Sequence, residues 1–309
     1  MINNSNVSIT TVLSKIPQNG SLAHPLTRRV PHLGGNGPSG HAIHFRGRQR
    51  MPEGVRLSLA TMRVAFPGAS DAVVAAFVEK QGVLSAAGLN RSRQRLAYCF
   101  ANLHAETSGF TIRNLAENIN YTAARMAQVW PNRFASAAAV QAKYGTVSGW
   151  QTKAFDDIYG NRMGNRPGTS DGSRYIGRGG PQITGRDGYV EIGKRIGVEL
   201  EANPELASQP ALQPDIAAAF WDWKGMNHFA DAGDFIGCVK AWNGGTNGLA
   251  ERQAQLARIL PILQKAEWGE VIAAPVKPPP DPAVNSTTAS QPSVWAAFFM
   301  AIAKLFGRT

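Results

Sequence analysis

The chain has 309 residues, of which 43 % are hydrophobic and 17 % charged. This composition excludes a wholly disordered chain and leaves enough apolar residues for a sizeable core. The chain has only two cysteines, which is too few for a disulfide framework. Its 32 basic and 21 acidic residues give a net charge of +11, which favours an anionic partner. Without an apolar run of about 18 residues or an apolar leader, the sequence predicts no membrane-spanning helix and no signal peptide. We therefore expect synthesis in the cytoplasm.

Residues 1–56 are rich in Asn, Ser, Gly and Pro and have little apolar periodicity. They contain seven basic residues and one acidic residue, Glu53. Such a composition is typical of chain that cannot bury enough apolar surface to fold. We interpret this segment as a flexible basic arm.

Residues 57–269 have mainly helical periodicity and predict a single α-rich domain. Ser70, Asp215 and Asp234 are placed as helix N-caps, and a helix from Thr122 to Trp130 is predicted to end at Pro131. A further helix leads through Leu103 to a stop at Gly109, and a long closing helix is predicted over 249–268. Only the stretch around 175–183 has an extended character.

A Pro-rich linker, 270–293, is predicted to follow the domain. The last segment, 294–309, places apolar residues at helical spacing, which predicts an amphipathic hydrophobic tail. As a helix, residues 294–306 would span only about 20 Å, too short to cross a bilayer. The tail could lie on a membrane surface, dock onto the domain or bind a protein partner, and the sequence leaves these three open.

Two glutamates stand out as candidate catalytic groups. Glu106 follows Leu103 by three positions, on or beside the buried face of its helix, where burial raises the pKa of a carboxyl group. Glu117 lies in a polar, loop-like stretch and could stay ionised. Two carboxyls held in different protonation states suit glycoside hydrolysis. Each could also be an ordinary glutamate, one partly exposed and the other solvated.

The sequence around these glutamates resembles glycoside hydrolase family 19, and most of all its phage-endolysin branch. The resemblance is carried by five blocks in order: 101–110, 117–121, 159–165, 175–186 and 243–252. It covers roughly residues 57–268. It implies a lysozyme-like, two-lobed α-rich fold with a minimal β element.

The resemblance also implies roles for single residues. Glu106 would be the general acid, Glu117 the base that activates water for inversion, and Thr184 the hydroxyl that holds this water. Arg252 matches an arginine placed near the base, where its charge would keep Glu117 ionised. The implied substrate-binding residues are Gln182, Asn243, Arg252, Tyr121 and Arg178.

This sequence departs from the family pattern at Ala105, which stands where a histidine usually precedes the acid. His104 is one position earlier, about 100° away around a helix, so we assign it a packing or surface position. Trp221, Trp242 and both cysteines are predicted to be buried. Two carboxylates and water need no metal or organic cofactor, and none is expected.

The resulting hypothesis is an endo-acting, inverting glycosidase that cleaves the β-1,4 bonds of peptidoglycan. The protein would be an endolysin-like, bacteriolytic monomer that reaches the cell wall or periplasm by release or specialised export. An anionic wall suits a basic protein better than neutral chitin does. The alternatives are a chitinase acting on chitin or chito-oligosaccharides and a non-catalytic wall-glycan-binding module. Nucleic-acid binding through the arm is a further, less favoured reading.

Overall fold

The computed structural model describes residues 53–271. The predicted arm before residue 53, most of the linker and the whole predicted tail lie outside this range. Within it the chain is mostly helical, as predicted. A two-stranded antiparallel sheet joins its two ends, with Val55 of β1 (Glu53–Val55) opposite Trp268 of β2 (Trp268–Glu270). Strand β1 lies before the predicted start of the domain at residue 57.

The helices follow in chain order. They are α1 (Leu59–Ala65), α2 (Asp71–Glu79), α3 (Gln81–Ala86), α4 (Arg93–Thr107), α5 (Ala123–Val129), α6 (Ala137–Tyr144), α7 (Trp150–Tyr159), α8 (Asp171–Arg174), α9 (Arg186–Ile196), α10 (Gln213–Trp223), α11 (Asn227–Asp231), α12 (Phe235–Asn243) and α13 (Leu249–Gln264). Short 3-10 turns cover Arg113–Leu115, Pro204–Ser208 and Pro210–Leu212. Between residues 53 and 271 no helix combines the length and hydropathy needed to cross a bilayer.

Helix N-caps predicted from the sequence are mostly confirmed. The side chains of Ser70 and Asp234 each accept a hydrogen bond from a backbone N–H in the first turn of α2 and α12. Thr122, predicted only as the first residue of a helix, caps α5 in the same way. Asp215 is not a cap, because α10 begins earlier with Pro214 in its first turn, a position that proline favours. The Asp215 carboxylate instead pairs with Lys80 Nζ at 2.6 Å.

The closing helix is shorter than predicted. Helix α13 ends at Gln264, where Arg93 donates hydrogen bonds to the carbonyl oxygens of Leu263 and Ala266, both at 3.1 Å. These bonds satisfy carbonyl groups that a helix end leaves unpaired. Trp268 then lies in β2.

The stretch around 175–183, predicted to be extended, forms only single bridges, from Arg178 to Ala116 and to Ile183.

Two separate hydrophobic cores divide the domain into two lobes, as predicted. The larger core surrounds α4, which packs along α13 and buries Cys99, Cys238, Trp221 and Trp242 as expected. The smaller core lies among α5, α6 and α7 and includes Phe155. We call the segment 122–174, which carries these helices and α8, the small lobe. Leu115 belongs to the larger core and Tyr121 to the smaller, so the chain between them passes from one core to the other.

Candidate active site

Glu106 lies in the last turn of α4, and only 5 % of its surface is exposed. The helix ends directly after it, with Ser108 and Gly109 in the left-handed region. Its carboxylate pairs with the guanidinium of Arg252 from the first turns of α13. Burial raises the pKa of Glu106 more than the charge of Arg252 lowers it. The sequence-based expectation of a buried carboxyl with a raised pKa is met.

Arg252 is itself buried and is held in place by two further contacts. Its Nη1 donates to Asn102 Oδ1 at 2.6 Å, and its Nε donates to the carbonyl oxygen of Asn247 at 3.4 Å. Asn102 has no exposed surface, and its Nδ2 donates to the carbonyl oxygen of Tyr98 at 2.8 Å. The ion pair of Glu106 therefore belongs to a buried network that joins α4 to α13.

The expectation that Arg252 lies beside Glu117 is wrong. Its one ion pair among the described residues is with Glu106, because the first turns of α13 pack on the last turn of α4. The positive charge that lowers the pKa of Glu117 comes from Arg178 instead. Sequence spacing could not separate these two possibilities, since both glutamates are far from position 252.

Glu117 is buried, with 8 % of its surface exposed, and is not a solvated loop residue. Its backbone N–H donates to the carbonyl oxygen of Gly177 at 2.8 Å, and the N–H of Gly177 donates to Glu117 Oε2 at 3.2 Å. Its other oxygen, Oε1, is buried without a hydrogen-bond partner. Burial raises the pKa of Glu117 to about 7, against the opposing effects of the Gly177 hydrogen bond and the Arg178 charge. Near pH 7 this carboxyl can therefore either hold or accept a proton.

Thr184 and Gln182 lie close to Gly177, whose backbone is hydrogen-bonded to Glu117. A Cβ atom at Gly177 would come within 2.6 Å of Gln182 Oε1 and 3.3 Å of Thr184 Oγ1, so a larger residue there would push the end of the Gln182 side chain aside. The hydroxyl of Thr184 donates to the carbonyl oxygen of Gln182 at 2.9 Å. Gln182 has a left-handed backbone, and its buried Oε1 has no partner. Two predicted site residues are thus brought next to the predicted base.

Asn243 ends α12, and both ends of its amide are bonded to its own loop. Its Nδ2 donates to the carbonyl oxygen of Asn247 at 3.0 Å, and its Oδ1 accepts from the N–H of Gly245 at 3.0 Å. Because the same Asn247 carbonyl accepts from Arg252, the loop that Asn243 shapes also supports the ion pair of Glu106. Asn243 is placed with the acid rather than with the base.

Tyr121 and Arg178 lie near Glu117 but bind protein groups. Tyr121 packs between Trp130 and Phe155 in the smaller core, and the charge of Glu117 contributes to its raised pKa. Arg178 donates to the Tyr189 hydroxyl at 2.8 Å and to a backbone carbonyl. Both residues border the predicted base.

The two groups of residues are brought together by the loop 177–184. A Cβ atom at Gly180 in this loop would come within 2.7 Å of Leu103 Cδ2, one turn before Glu106 on α4. The N–H of Gly179 donates to the carbonyl oxygen of Leu115 at 2.8 Å, two residues before Glu117. Both carboxyls therefore lie on segments that contact one loop.

His104 lies outside this arrangement, as predicted. Its ring stacks on Phe66, with ring centres 5.9 Å apart, and it packs against Gly109. Burial and the nearby charge of Arg258 lower its pKa to about 4.

Between residues 53 and 271, no cluster of three or more His, Cys, Asp or Glu side chains is arranged to hold a metal ion.

No protein-family model matches the chain. A curated relative from Haemophilus influenzae (strain ATCC 51907 / DSM 11121 / KW20 / Rd), named glycosyl hydrolase family 19 domain-containing protein, is 30 % identical over 203 residues. The match covers 63 % of this chain and 92 % of the relative. The chain belongs to glycoside hydrolase family 19. Membership of this family makes it a glycosidase.

Solved structures of family 19 chitinases resemble the domain more distantly. Chitinase C from Streptomyces griseus HUT6037 is 19 % identical with a TM-score of 0.44, and the match covers 69 % of this chain and 78 % of that one. A bacterial family 19 chitinase is 18 % identical with a TM-score of 0.41, and the match covers 68 % and 96 % of the two chains.

Sequence reasoning missed some residues of this family 19 site. Asn102 precedes Glu106 by four positions, so it lies on the same face of α4, and this spacing is a signal that could have found it. Tyr159 lies close enough to Glu117 for the two charges to interact. Trp242 was assigned to the core, yet it also lies near enough to Glu106 to lower its pKa. Tyr159 and Trp242 are far in sequence from the glutamates that they approach, so no local sequence pattern could have revealed them.

Proposed function

We propose that this family 19 glycosidase hydrolyses the β-1,4 bonds of peptidoglycan glycan strands with inversion at the anomeric carbon. Glu106 donates a proton to the glycosidic oxygen, and Glu117 accepts a proton from the attacking water. The observation that carries this proposal is the pair of buried carboxyls in different surroundings, one held by Arg252 and the other bonded only by a backbone N–H. Inverting glycosidases need an acid and a base that differ in this way.

The surroundings of each carboxyl support its role. Burial raises the pKa of Glu106, which favours the protonated form that a general acid needs. Glu117 has one buried oxygen, Oε1, that is bonded to no described group, so it can accept a hydrogen bond from the water that enters with the substrate. The Thr184 hydroxyl lies near Gly177, whose N–H binds this carboxyl, so it can help to hold that water. No part of this scheme requires a cofactor.

The charge of the small lobe favours an anionic polymer over neutral chitin. Residues 122–174 contain seven basic and three acidic residues. The described remainder of the domain contains nearly equal numbers of both, so the excess lies on the lobe next to the proposed base. Peptidoglycan carries carboxylates on its stem peptides, whereas chitin carries none. A positive surface beside the site would raise the local concentration of the anionic chain.

The test is product analysis with the full-length chain. Purified peptidoglycan and, separately, chitohexaose are incubated with the enzyme, and products are identified by mass spectrometry. We expect muropeptides with new reducing ends, and NMR of the earliest chito-oligosaccharide or muropeptide products should reveal the α-anomer. Release of chitobiose with no cut in peptidoglycan would make the protein a chitinase, and an initial β-anomer would overturn inversion.

Active-site variants separate an enzyme from a binding module. Glu106→Gln and Glu117→Gln should each lower kcat by several orders of magnitude while the chain stays folded. Glu79→Gln is the matched control, since Glu79 is exposed on α2 and forms no ion pair with any described residue. If both site variants lysed cells as well as the unchanged protein does, the effect would come from binding alone.

The proposed base also predicts a pH profile. Glu117 must be ionised to accept a proton, and burial raises its pKa to about 7. We therefore expect kcat/KM to rise with pH through about 7, as the carboxyl loses its proton. Initial rates measured at constant ionic strength from pH 5 to 9 test this. A rate that is already maximal at pH 5 would contradict the assignment.

Action at the cell wall, and contact of residues 294–306 with a membrane surface, are further proposals that rest on the sequence alone. Fractionation of the producing cells before and after lysis would test both. Recovery of the full-length chain in the membrane fraction, and of a chain shortened after residue 293 in the soluble fraction, is the expected result.

A further inference from the structure

The turn 160–165 connects α7 to the segment before α8 in a strained conformation. Asn161, Met163 and Gly164 have φ values of 65°, 52° and 77°. Such values are uncommon for residues other than glycine and collect at functional sites. They persist only when the surrounding structure enforces them, and the contacts of this turn do so.

Hydrogen bonds fix the backbone of the turn from both sides. Asn165 is 4 % exposed, its Nδ2 donates to the Tyr159 carbonyl oxygen at 3.1 Å, and its Oδ1 accepts from the Arg186 N–H at 2.8 Å. The N–H of Asp187 donates to the carbonyl oxygen of Met163 at 3.0 Å. The backbone is held, while the side chains of Arg162 and Met163 stay exposed, Met163 by 44 %.

The turn borders the candidate active site. A Cβ atom at Gly185 would come within 2.8 Å of the Met163 carbonyl oxygen, and Gly185 directly follows Thr184. The Tyr159 hydroxyl interacts electrostatically with both Glu117 and Arg162, so the carboxyl and the guanidinium lie near the same phenol. An exposed charge and an exposed thioether are thus presented next to the proposed base.

Arg162 forms no ion pair with any described residue, unlike Arg166 and Lys143 of the same lobe. Arg166 pairs with Asp171 at 2.9 Å, and Lys143 pairs with Asp157 at 2.7 Å. A guanidinium can bind a carboxylate through two parallel hydrogen bonds. Met163 beside it offers a polarizable apolar contact.

We propose that the turn 160–165 is a specificity element in which Arg162 binds a carboxylate of the stem peptide of peptidoglycan. Met163 packs on the alkyl groups next to that carboxylate. The hydrogen-bonded backbone fixes where both side chains leave the turn, so binding needs no rearrangement of the main chain. This inference rests on the proposed function, since chitin has no carboxylate for Arg162 to bind.

The test compares two forms of one substrate. Soluble glycan chains with intact stem peptides are used as such and after conversion of their carboxylates to amides. We expect Arg162→Ala to raise KM for the carboxylate form roughly tenfold, with a smaller change in kcat, because a hydrogen-bonded ion contact is lost. The KM for the amidated form should change less than twofold. Arg162→Lys should recover part of the loss, since it keeps the charge but not the paired donors.

Arg91→Ala is the matched control. Arg91 is exposed, forms no ion pair with any described residue, and follows Asn90, which contacts β1 in the larger lobe. It should leave KM unchanged for both forms. Equal losses for both forms in Arg162→Ala, or no loss, would overturn the inference while leaving the proposed function intact. Failure of the unchanged enzyme to cut either form would instead overturn the proposed function itself, and the inference with it.

Discussion

At the scale of single residues, Glu117 combines a buried carboxyl with a single hydrogen bond, and this has a cost in stability. The pKa of about 7 in the folded protein lies above the value of 4.5 for a free glutamate. The folded state therefore keeps the proton that the unfolded state loses between these values. The contribution of Glu117 to the free energy of unfolding is therefore fully present below pH 4.5 and is lost as the pH rises through 7. The protein becomes less stable over this range by ~3 kcal/mol at most.

Glu117→Gln should remove this pH dependence. At pH 8 we expect the variant to be more stable than the unchanged protein by about 1–3 kcal/mol, because a neutral amide replaces a buried charge. At pH 4 the difference should shrink toward zero. Urea unfolding at both pH values measures it, with Glu79→Gln as the control. A variant that is less stable at pH 8 would mean that the ionised carboxyl is stabilised by the fold.

Glu106→Gln should have the opposite effect on stability. Arg252 is buried and pairs with Glu106, so the variant leaves a buried guanidinium without its counter-charge. Breaking one side of a buried ion pair costs roughly 3–5 kcal/mol, and less here because a glutamine oxygen can still accept a hydrogen bond. We expect a loss of about 2 kcal/mol in urea unfolding at pH 8. A gain in stability at that pH would contradict the role of the pair.

At the scale of helices and strands, the sequence predicted what local signals determine. The N-caps Ser70 and Asp234 were found because an N-cap bond lies within three residues of the cap. Trp268 was misplaced because its position depends on Val55, at the other end of the domain. Arg252 was misassigned for the same reason, since its contact with Glu106 spans 146 positions. The two glutamates were selected correctly as candidates, but their partners depend on long-range packing.

The contact between α7 and α8 should be sensitive to one methyl group. A Cβ atom at Gly172 would come within 2.6 Å of the Asp156 Cα atom, and backbone cannot move aside easily. We expect Gly172→Ala to destabilise the protein by about 1–3 kcal/mol. Activity should also fall, because α8 leads into the segment of Gly177 that binds Glu117.

Gly188 provides the control for this substitution. It lies in α9, where an added Cβ would meet nothing within 4 Å. Gly188→Ala should stabilise the helix by about 0.5–1 kcal/mol. Thermal unfolding and peptidoglycan hydrolysis of the two variants measure both effects. Equal stability of both would mean that α7 and α8 can separate without loss.

At the scale of the whole domain, the chain that carries Glu117 passes between two cores of unequal size, and charge is distributed unevenly between the two lobes. The positive excess of 122–174 lies next to Glu117, whereas the larger lobe carries many of the ion pairs that neutralise its charges. A charged surface acts over about 10 Å at 0.1 M salt and over longer distances in dilute buffer. Added salt should therefore weaken the binding of an anionic polymer, mainly because it screens the positive charge of the small lobe.

Lys153→Glu tests this on α7, where Lys153 is exposed and forms no ion pair with any described residue. At about 0.02 M salt we expect a several-fold increase in KM for peptidoglycan, and at about 0.3 M salt a much smaller one, because mobile ions then screen the lobe. Lys240→Glu makes the same change of charge on α12 in the larger lobe and should raise KM less. Both variants retain the basic arm, so their difference isolates the contribution of the small lobe. Equal increases in the two variants would mean that total charge, rather than its position beside Glu117, attracts the substrate.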